Sequence, residues 1–411
     1  MKYYATLLLI IIFIFNVGGG IANSLLGAAW PAISGDLAIP ITYQSVILIA
    51  FFIGTVFGTA LSSKIIATYK SYLPSIGGSV LIVVAILLFS ISRSFVLMTI
   101  FYSFLGFGIG SIQALLNGYI TINYSNSAIN WLHSCFGIGC SISPLLIAYF
   151  LRTRNSWSLG FQATTLIEAV LLIIIIVSFP LWKVHGPVLP PRKKDKRNAI
   201  TSSEQEKTLS ILDLLKITGS KSILLNSFIF CACESVIMFW STSYLVVIKD
   251  LTDDAAAAMM TVFYGSQVVG RILAGFVVIK ISDTLLIRIC QILALISGVL
   301  MVFVPIQMFP VVLGLIGLTT GPIFPNLVHE VPSIVGTENA QGVIGLMLAT
   351  GSMANILIPL LISVLTNTFS FSIFPICFIV PIAASMVFKF YQDKVIRKKI
   401  GNNYSPIQAE G

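Results

Sequence analysis

KVHGPVLPPRKKDKRNAITSSEQEKTLSILDLLKITGSK, residues 183–221, is the one long polar stretch in a chain of 411 residues. Before it lie six apolar runs, near 6–30, 44–64, 74–92, 95–122, 128–150 and 162–182. After it lie six more, near 222–248, 255–280, 285–305, 307–328, 341–365 and 370–391. A helix crosses the hydrocarbon core with about 20 apolar residues, so each run is long enough to span. The expected fold is therefore an all-α polytopic membrane protein of twelve transmembrane helices. It reads as an N-terminal six-helix half (1–182), a basic linker (183–221), a C-terminal six-helix half (222–392) and a tail (393–411). Within the linker, Ile211-Leu212-Asp213-Leu214-Leu215-Lys216 has the pattern of a short amphipathic helix at the membrane surface.

Composition agrees with that reading. Apolar residues make up 57% of the chain, charged residues only 9%, and the mean hydropathy is +0.98. A water-soluble domain carries about a quarter charged residues, so soluble enzymes, nucleic-acid binders and disordered scaffolds are excluded. The net charge of +9 follows from topology. With the N-terminus inside, Arg93, Arg152, Arg154 and Lys249 lie outside and Arg271 within a span, while the remaining Lys and Arg fall on cytoplasmic segments. That asymmetry is the positive-inside rule and places both termini in the cytoplasm of a multi-pass cell-membrane protein. Met1-Lys2 followed by apolar Ala5 to Phe15 imitates a secretory signal, but the apolar run continues to Trp30 and reads as the first span. The six cysteines sit in apolar runs and behave as small hydrophobes.

The halves echo each other at offsets near 205–215 residues. Phe52-Ile53-Gly54 with Gly58 matches Phe263-Tyr264-Gly265 with Gly270. Gly106, Gly108, Gly110 and Asn117 match Gly314, Gly317, Gly321 and Asn326, and Pro144-Leu145-Leu146 matches Pro359-Leu360-Leu361. Duplicated units of this kind hold a solute site near the bilayer midplane, between the repeats.

The chain resembles the major facilitator superfamily, and within it the fucose–proton symporter branch that includes sodium-dependent glucose transporters. The residues carrying the resemblance are Asn23-Ser24-Leu25-Leu26-Gly27 with Trp30-Pro31, Gly106 through Gln113 to Asn117, and Leu132-His133-Ser134 through Gly139. Glu234 with Trp240 and Tyr244, Gly270-Arg271, and Phe324-Pro325-Asn326 complete the set. The resemblance implies the major facilitator fold and solute transport by rocking of the two halves. Two departures stand out. The loop between spans two and three lacks the superfamily's Asp-Arg pair. The branch's acids in spans one and four fall near Asn23 and on Gln113, amides that bond hydroxyls but carry no proton.

Ionisable groups inside hydrocarbon are costly and mark function. Glu234 and Arg271 fall at similar depth and are expected to pair, or else Arg271 reaches the inner interface or packs against backbone carbonyls. His133 is a candidate relay or a junction residue, Glu168 is expected to snorkel to the outer surface, and His329-Glu330 to cap span ten. Asn16, Asn23 and Trp30 recur every seven residues on one face of span one. The expected substrate site is lined by Asn23, Gln113, Asn117, Trp240, Gln267, Asn326 and Asn355, with Glu234, Arg271 and His133 as coupling or gating charges. Amides from several helices suit a neutral polyhydroxylated solute, most simply a sugar. An exporter of amphipathic compounds and a non-transporting receptor are the alternatives. No metal-ligand spacing, nucleophile–base set or phosphate-binding glycine loop is present, so neither an enzyme nor an ATP-driven pump is expected. No cofactor is implied, sodium or a proton is the candidate coupling ion, and the partners are a small solute and the lipid bilayer around a monomer.

Overall fold

The computed structural model describes residues 2–69, 73–124, 126–184 and 211–400, and every regular element in them is helical. The N-terminal half comprises α1 (Lys2–Asp36), α2 (Gln44–Tyr69), α3 (Leu73–Ile91), α4 (Phe95–Asn123), α5 (Asn126–Arg154) and α6 (Trp157–Val184). A short α7 (Ile211–Lys216) leads into α8 (Ser220–Val247), α9 (Asp253–Val277), α10 (Asp283–Phe303), α11 (Phe309–Thr320), α12 (Ile323–Val335), α13 (Thr337–Phe369) and α14 (Phe374–Ile400). Eleven segments among the described residues are long and apolar enough to cross a membrane, and Ser75–Ile91 is a shorter apolar helix at the expected third span. Most of the expected linker, residues 185–210, lies outside the described residues. In α7, Leu214 is buried while Ile211 and Leu212 are exposed.

Several boundaries differ from expectation, two of them in ways that bear on the site. The tenth span is broken into α11 and α12 at Gly321-Pro322, because Pro322 has no N–H and its ring crowds the carbonyl one turn back. The last helix runs on through Asp393 to Ile400, so the first part of the expected tail is helical and Lys389, Gln392 and Asp393 are buried.

Helix pairings repeat between halves. α1 packs on α5 and α6 as α8 packs on α13 and α14. α2 packs on α4 as α9 packs on α11, and α3 on α4 and α6 as α10 on α11 and α14. Glycine makes the closest of these contacts, since a backbone without Cβ lets helices approach within backbone contact. On α4, Gly106 and Gly110 face the Phe51 and Thr55 carbonyls of α2. Gly54 and Gly58 of α2 face the Ser103 and Phe107 carbonyls in return. In the second half Gly270 faces the Leu318 carbonyl and Gly317 that of Phe263.

The halves meet through α1–α8, α2–α13 and α5–α9. Near the end of the bundle that carries Asp36, the Ser363 hydroxyl donates to the Thr42 carbonyl at 3.1 Å. Phe52 stacks edge-on against Phe239 at 5.7 Å, and Gly27 lies against the Met238 carbonyl.

Candidate functional site

Prolines prepare the polar sites by stripping carbonyls of their helical donors. Pro144 leaves the Cys140 carbonyl of α5 without one, and the Ser24 hydroxyl of α1 donates to it at 3.1 Å. Pro325 does the same to the Gly321 carbonyl at the α11–α12 break, and Arg271 Nε of α9 donates to it at 3.2 Å.

In the N-terminal half the amides form a chain. Asn16 Nδ2, 1% exposed, donates to the Leu132 carbonyl at 2.6 Å, and Gln113 Nε2 donates to Asn16 Oδ1 at 2.9 Å. Asn117 Nδ2 donates to the Gln113 carbonyl at 2.9 Å and to Gln113 Oε1 at 3.4 Å. This chain ties α1, α4 and α5 together. Asn23, seven residues beyond Asn16, is half-buried and makes no hydrogen bond among the described residues. Trp30 belongs to the scaffold, for it is fully buried and its indole donates to the Ile41 carbonyl.

In the C-terminal half Glu234 and Gln267 are joined, with Gln267 Nε2 donating to Glu234 Oε1 at 2.6 Å. The expected Glu234–Arg271 ion pair is not formed. Arg271 instead bonds the Gly321 carbonyl and extends over Gly137 of α5, in the other half. Matching depth does not fix direction around a helix, and the carbonyl freed by Pro325 offers Arg271 a partner on α11–α12. Asn355 Oδ1 accepts from the Ser235 hydroxyl, linking α13 to α8. His133, one turn before Gly137, is exposed and makes no hydrogen bond among the described residues.

Two expected site residues turn inward to the scaffold. Trp240 is fully buried and packs on Phe371 at 5.8 Å. Six residues along a straight helix separate it from Glu234 by about 120°, so the two face different surroundings. Asn326 is buried, and its Nδ2 donates to the Pro322 carbonyl at 2.7 Å, serving the helix break.

Three further expectations are corrected. Glu330 does not cap α12. It accepts from Lys389 Nζ of α14 at 2.5 Å and from the Thr284 hydroxyl of α10 at 2.5 Å. Lys389 also reaches Asp393 at 2.9 Å, and Asp393 pairs with Arg288 at 2.6 Å, while His329 bonds Asp283 at 2.7 Å. Glu168 does not snorkel. It is 2% exposed, and its Oε1 has no hydrogen-bond partner among the described residues. The helix starts at Trp157 rather than near 162, which puts Glu168 eleven residues in, about 16 Å along the axis.

Residues 12–258 match the family model of the Major Facilitator Superfamily. The chain belongs to the Major Facilitator Superfamily. It is 22% identical over 354 residues to the glucose/mannose transporter GlcP of Bacillus subtilis (strain 168), covering 85% of this chain and 84% of that protein. Among solved structures it superposes on the nucleoside transporter NupG with a TM-score of 0.72 at 13% identity, covering 95% of this chain and 99% of that one. A bacterial homolog of the human lysosomal transporter Spinster, inward-facing and occupied, gives 0.70 at 12% identity, covering 99% of this chain and 100% of that one. Those two likenesses establish the fold. The superfamily member described here is thus a multi-pass membrane transporter and not an enzyme.

Proposed function

We propose that this transporter carries a cyclic polyhydroxylated solute, a sugar or a compound containing one, by alternating access between its two halves. The observation that carries the reading is the pair of amide clusters. Asn16–Gln113–Asn117 sits in one half and Glu234–Gln267 with Asn355 in the other, and Asn23 of α1 is half-buried with no hydrogen bond among the described residues. Amides and a carboxyl offer both donors and acceptors, which a ring of hydroxyls requires. GlcP, the relative named for glucose and mannose, supports the same solute class. So does NupG, whose nucleoside substrates contain a sugar ring. Arg271, which crosses from α9 to Gly137 of α5, is the gating charge, and His133 stands beside that crossing. The basic linker and tail face the cytoplasm in this reading, so the end sealed by Ser363 and Thr42 is the outer one.

Uptake of radiolabelled D-glucose, D-mannose and inosine into proteoliposomes tests the proposal. Gln113→Ala or Gln267→Ala should weaken solute binding by about 1–3 kcal/mol, the cost of stranding a buried polar partner. Unchanged apparent affinity in both variants removes them from the site. Flux of amphipathic dyes without flux of any sugar or nucleoside makes the protein an exporter. Binding without flux makes it a receptor.

A further inference from the structure

Glu168, whose Oε1 has no hydrogen-bond partner among the described residues, sits in α6 against a small cavity of about 10 Å³, lined also by Phe15, Gly19, Ile82, Ile109, Ile112 and Gln113. A space of roughly 10–15 Å³ admits at most one water. Apart from Glu168 the only polar lining group is the Gln113 amide, which is already engaged with Asn16 and Asn117. Gly18 and Gly19 of α1 close the carboxyl in, since a Cβ on Gly18 would stand 2.8 Å from Glu168 Oε1.

No counter-charge is supplied. α6 packs against α1, α3 and α5. α3 and α4 contain no Asp, Glu, Lys, Arg or His, and α1 has only Lys2 and Asp36, near its two ends. α5 has His133, Arg152 and Arg154, the last two in its final turn. None of them lines the cavity or bonds Glu168 among the described residues. A metal cation would need several oxygen ligands, and here it would find one carboxyl and one occupied amide. A proton needs only the carboxyl.

The geometry points to Glu168 as a proton-binding site of the N-terminal half, neutral in the conformation described and ionised when α1 moves away and water reaches it. The step is a simple one, in which the carboxylate takes a proton from water and later returns it to water. This inference rests on the reading that the halves rock around a central site, and it names the ion coupled to that motion. The coupling element is α1. It closes over Glu168 through Gly18 and joins the amide chain through Asn16. Loss of the proton would place an unpartnered charge beneath α1, which an apolar pocket does not tolerate, and would drive α1 to open.

Infrared difference spectra of the full-length protein in lipid bilayers, taken between acidic and alkaline buffer, read the carboxyl directly and need no solute. The protonated-carboxyl band should disappear on alkalinisation in the parent and in Glu234→Gln, and be missing at every pH in Glu168→Gln. Should Glu168→Gln not fold, Glu168→Asp keeps a carboxyl on a shorter stem and must shift the band. A titrating band that is identical in the Glu168 variants, or no titrating band in the parent, overturns the inference. In proteoliposomes that move D-glucose, Glu168→Gln should lose at least tenfold of the accumulation driven by a pH gradient while keeping glucose exchange. Gradient-driven accumulation equal to the parent's also overturns it. Vesicles of the parent that move no glucose count against the solute reading alone, and the infrared result still decides.

Discussion

Replacing Lys389 by methionine isolates the most heavily buried charge cluster in the molecule. The lysine is fully buried and holds two carboxylates, Glu330 at 2.5 Å and Asp393 at 2.9 Å, whose side chains are 5% and 2% exposed. Methionine fills nearly the same volume, so the change removes the charge without opening a cavity. Asp393 keeps Arg288 at 2.6 Å, whereas Glu330 keeps only the Thr284 hydroxyl. Stranding one member of a buried ion pair costs about 3–5 kcal/mol. Because Arg288 still compensates one carboxylate, the lower end applies, about 3 kcal/mol. That is a fall of roughly a hundredfold in the ratio of folded to unfolded protein. Reversible unfolding in mixed micelles, followed by tryptophan fluorescence, measures it. Adding Glu330→Gln should recover about 2 kcal/mol, since the cycle removes the stranded charge as well as the partner. A single variant that loses less than about 1 kcal/mol, or a double variant no better than the single, refutes the claim that Lys389 neutralises Glu330.

Two further outcomes follow from backbone chemistry. Ser24→Ala should cost about 1 kcal/mol by leaving the Cys140 carbonyl unpaired, and Pro144→Ala should abolish that cost by restoring a helical N–H. An equal effect of Ser24→Ala in both backgrounds, read by thermal unfolding, would count against the account of Pro144. Gly139→Val should destabilise by at least about 1–3 kcal/mol, because a Cβ there meets the Val17 carbonyl of α1. Normal yield and melting of that variant would show that α1 and α5 separate freely.

The helix count was legible because run length alone decides whether a helix spans, whereas the parting of α11 and α12 was not read, although Gly321-Pro322 sits at it. The glycine echoes between halves were read as duplication alone, and the structure shows that those glycines make the α2–α4 and α9–α11 contacts. What sequence could not supply was direction around each helix. Counting residues placed Glu234 and Arg271 at one level but not on facing sides, and Gln267, one turn before Arg271, took the bond. Trp240 had the right depth and the wrong face. Glu168 was misplaced by an end effect, as the expected span began near 162 and the helix already begins at Trp157. Lys389 was hidden among the basic residues near the end of the last span. Its i+4 partner Asp393 was the one available signal, and Glu330 lies 59 residues away.

The glycine–carbonyl contacts bear on how the chain is made. Gly54 meets Ser103, and Gly106 meets Phe51, so one of the close joints of the first half closes over a separation of about fifty residues, within reach of loop closure at modest entropy cost. It can therefore lock while the ribosome is still translating later spans. Gly270 and Leu318 repeat the arrangement with similar separation. Each half carries the means to assemble on its own schedule, and the seam of α1–α8, α2–α13 and α5–α9 forms last. A seam assembled last, between bodies already rigid, is also the one that can come apart and re-form in service without either body unfolding.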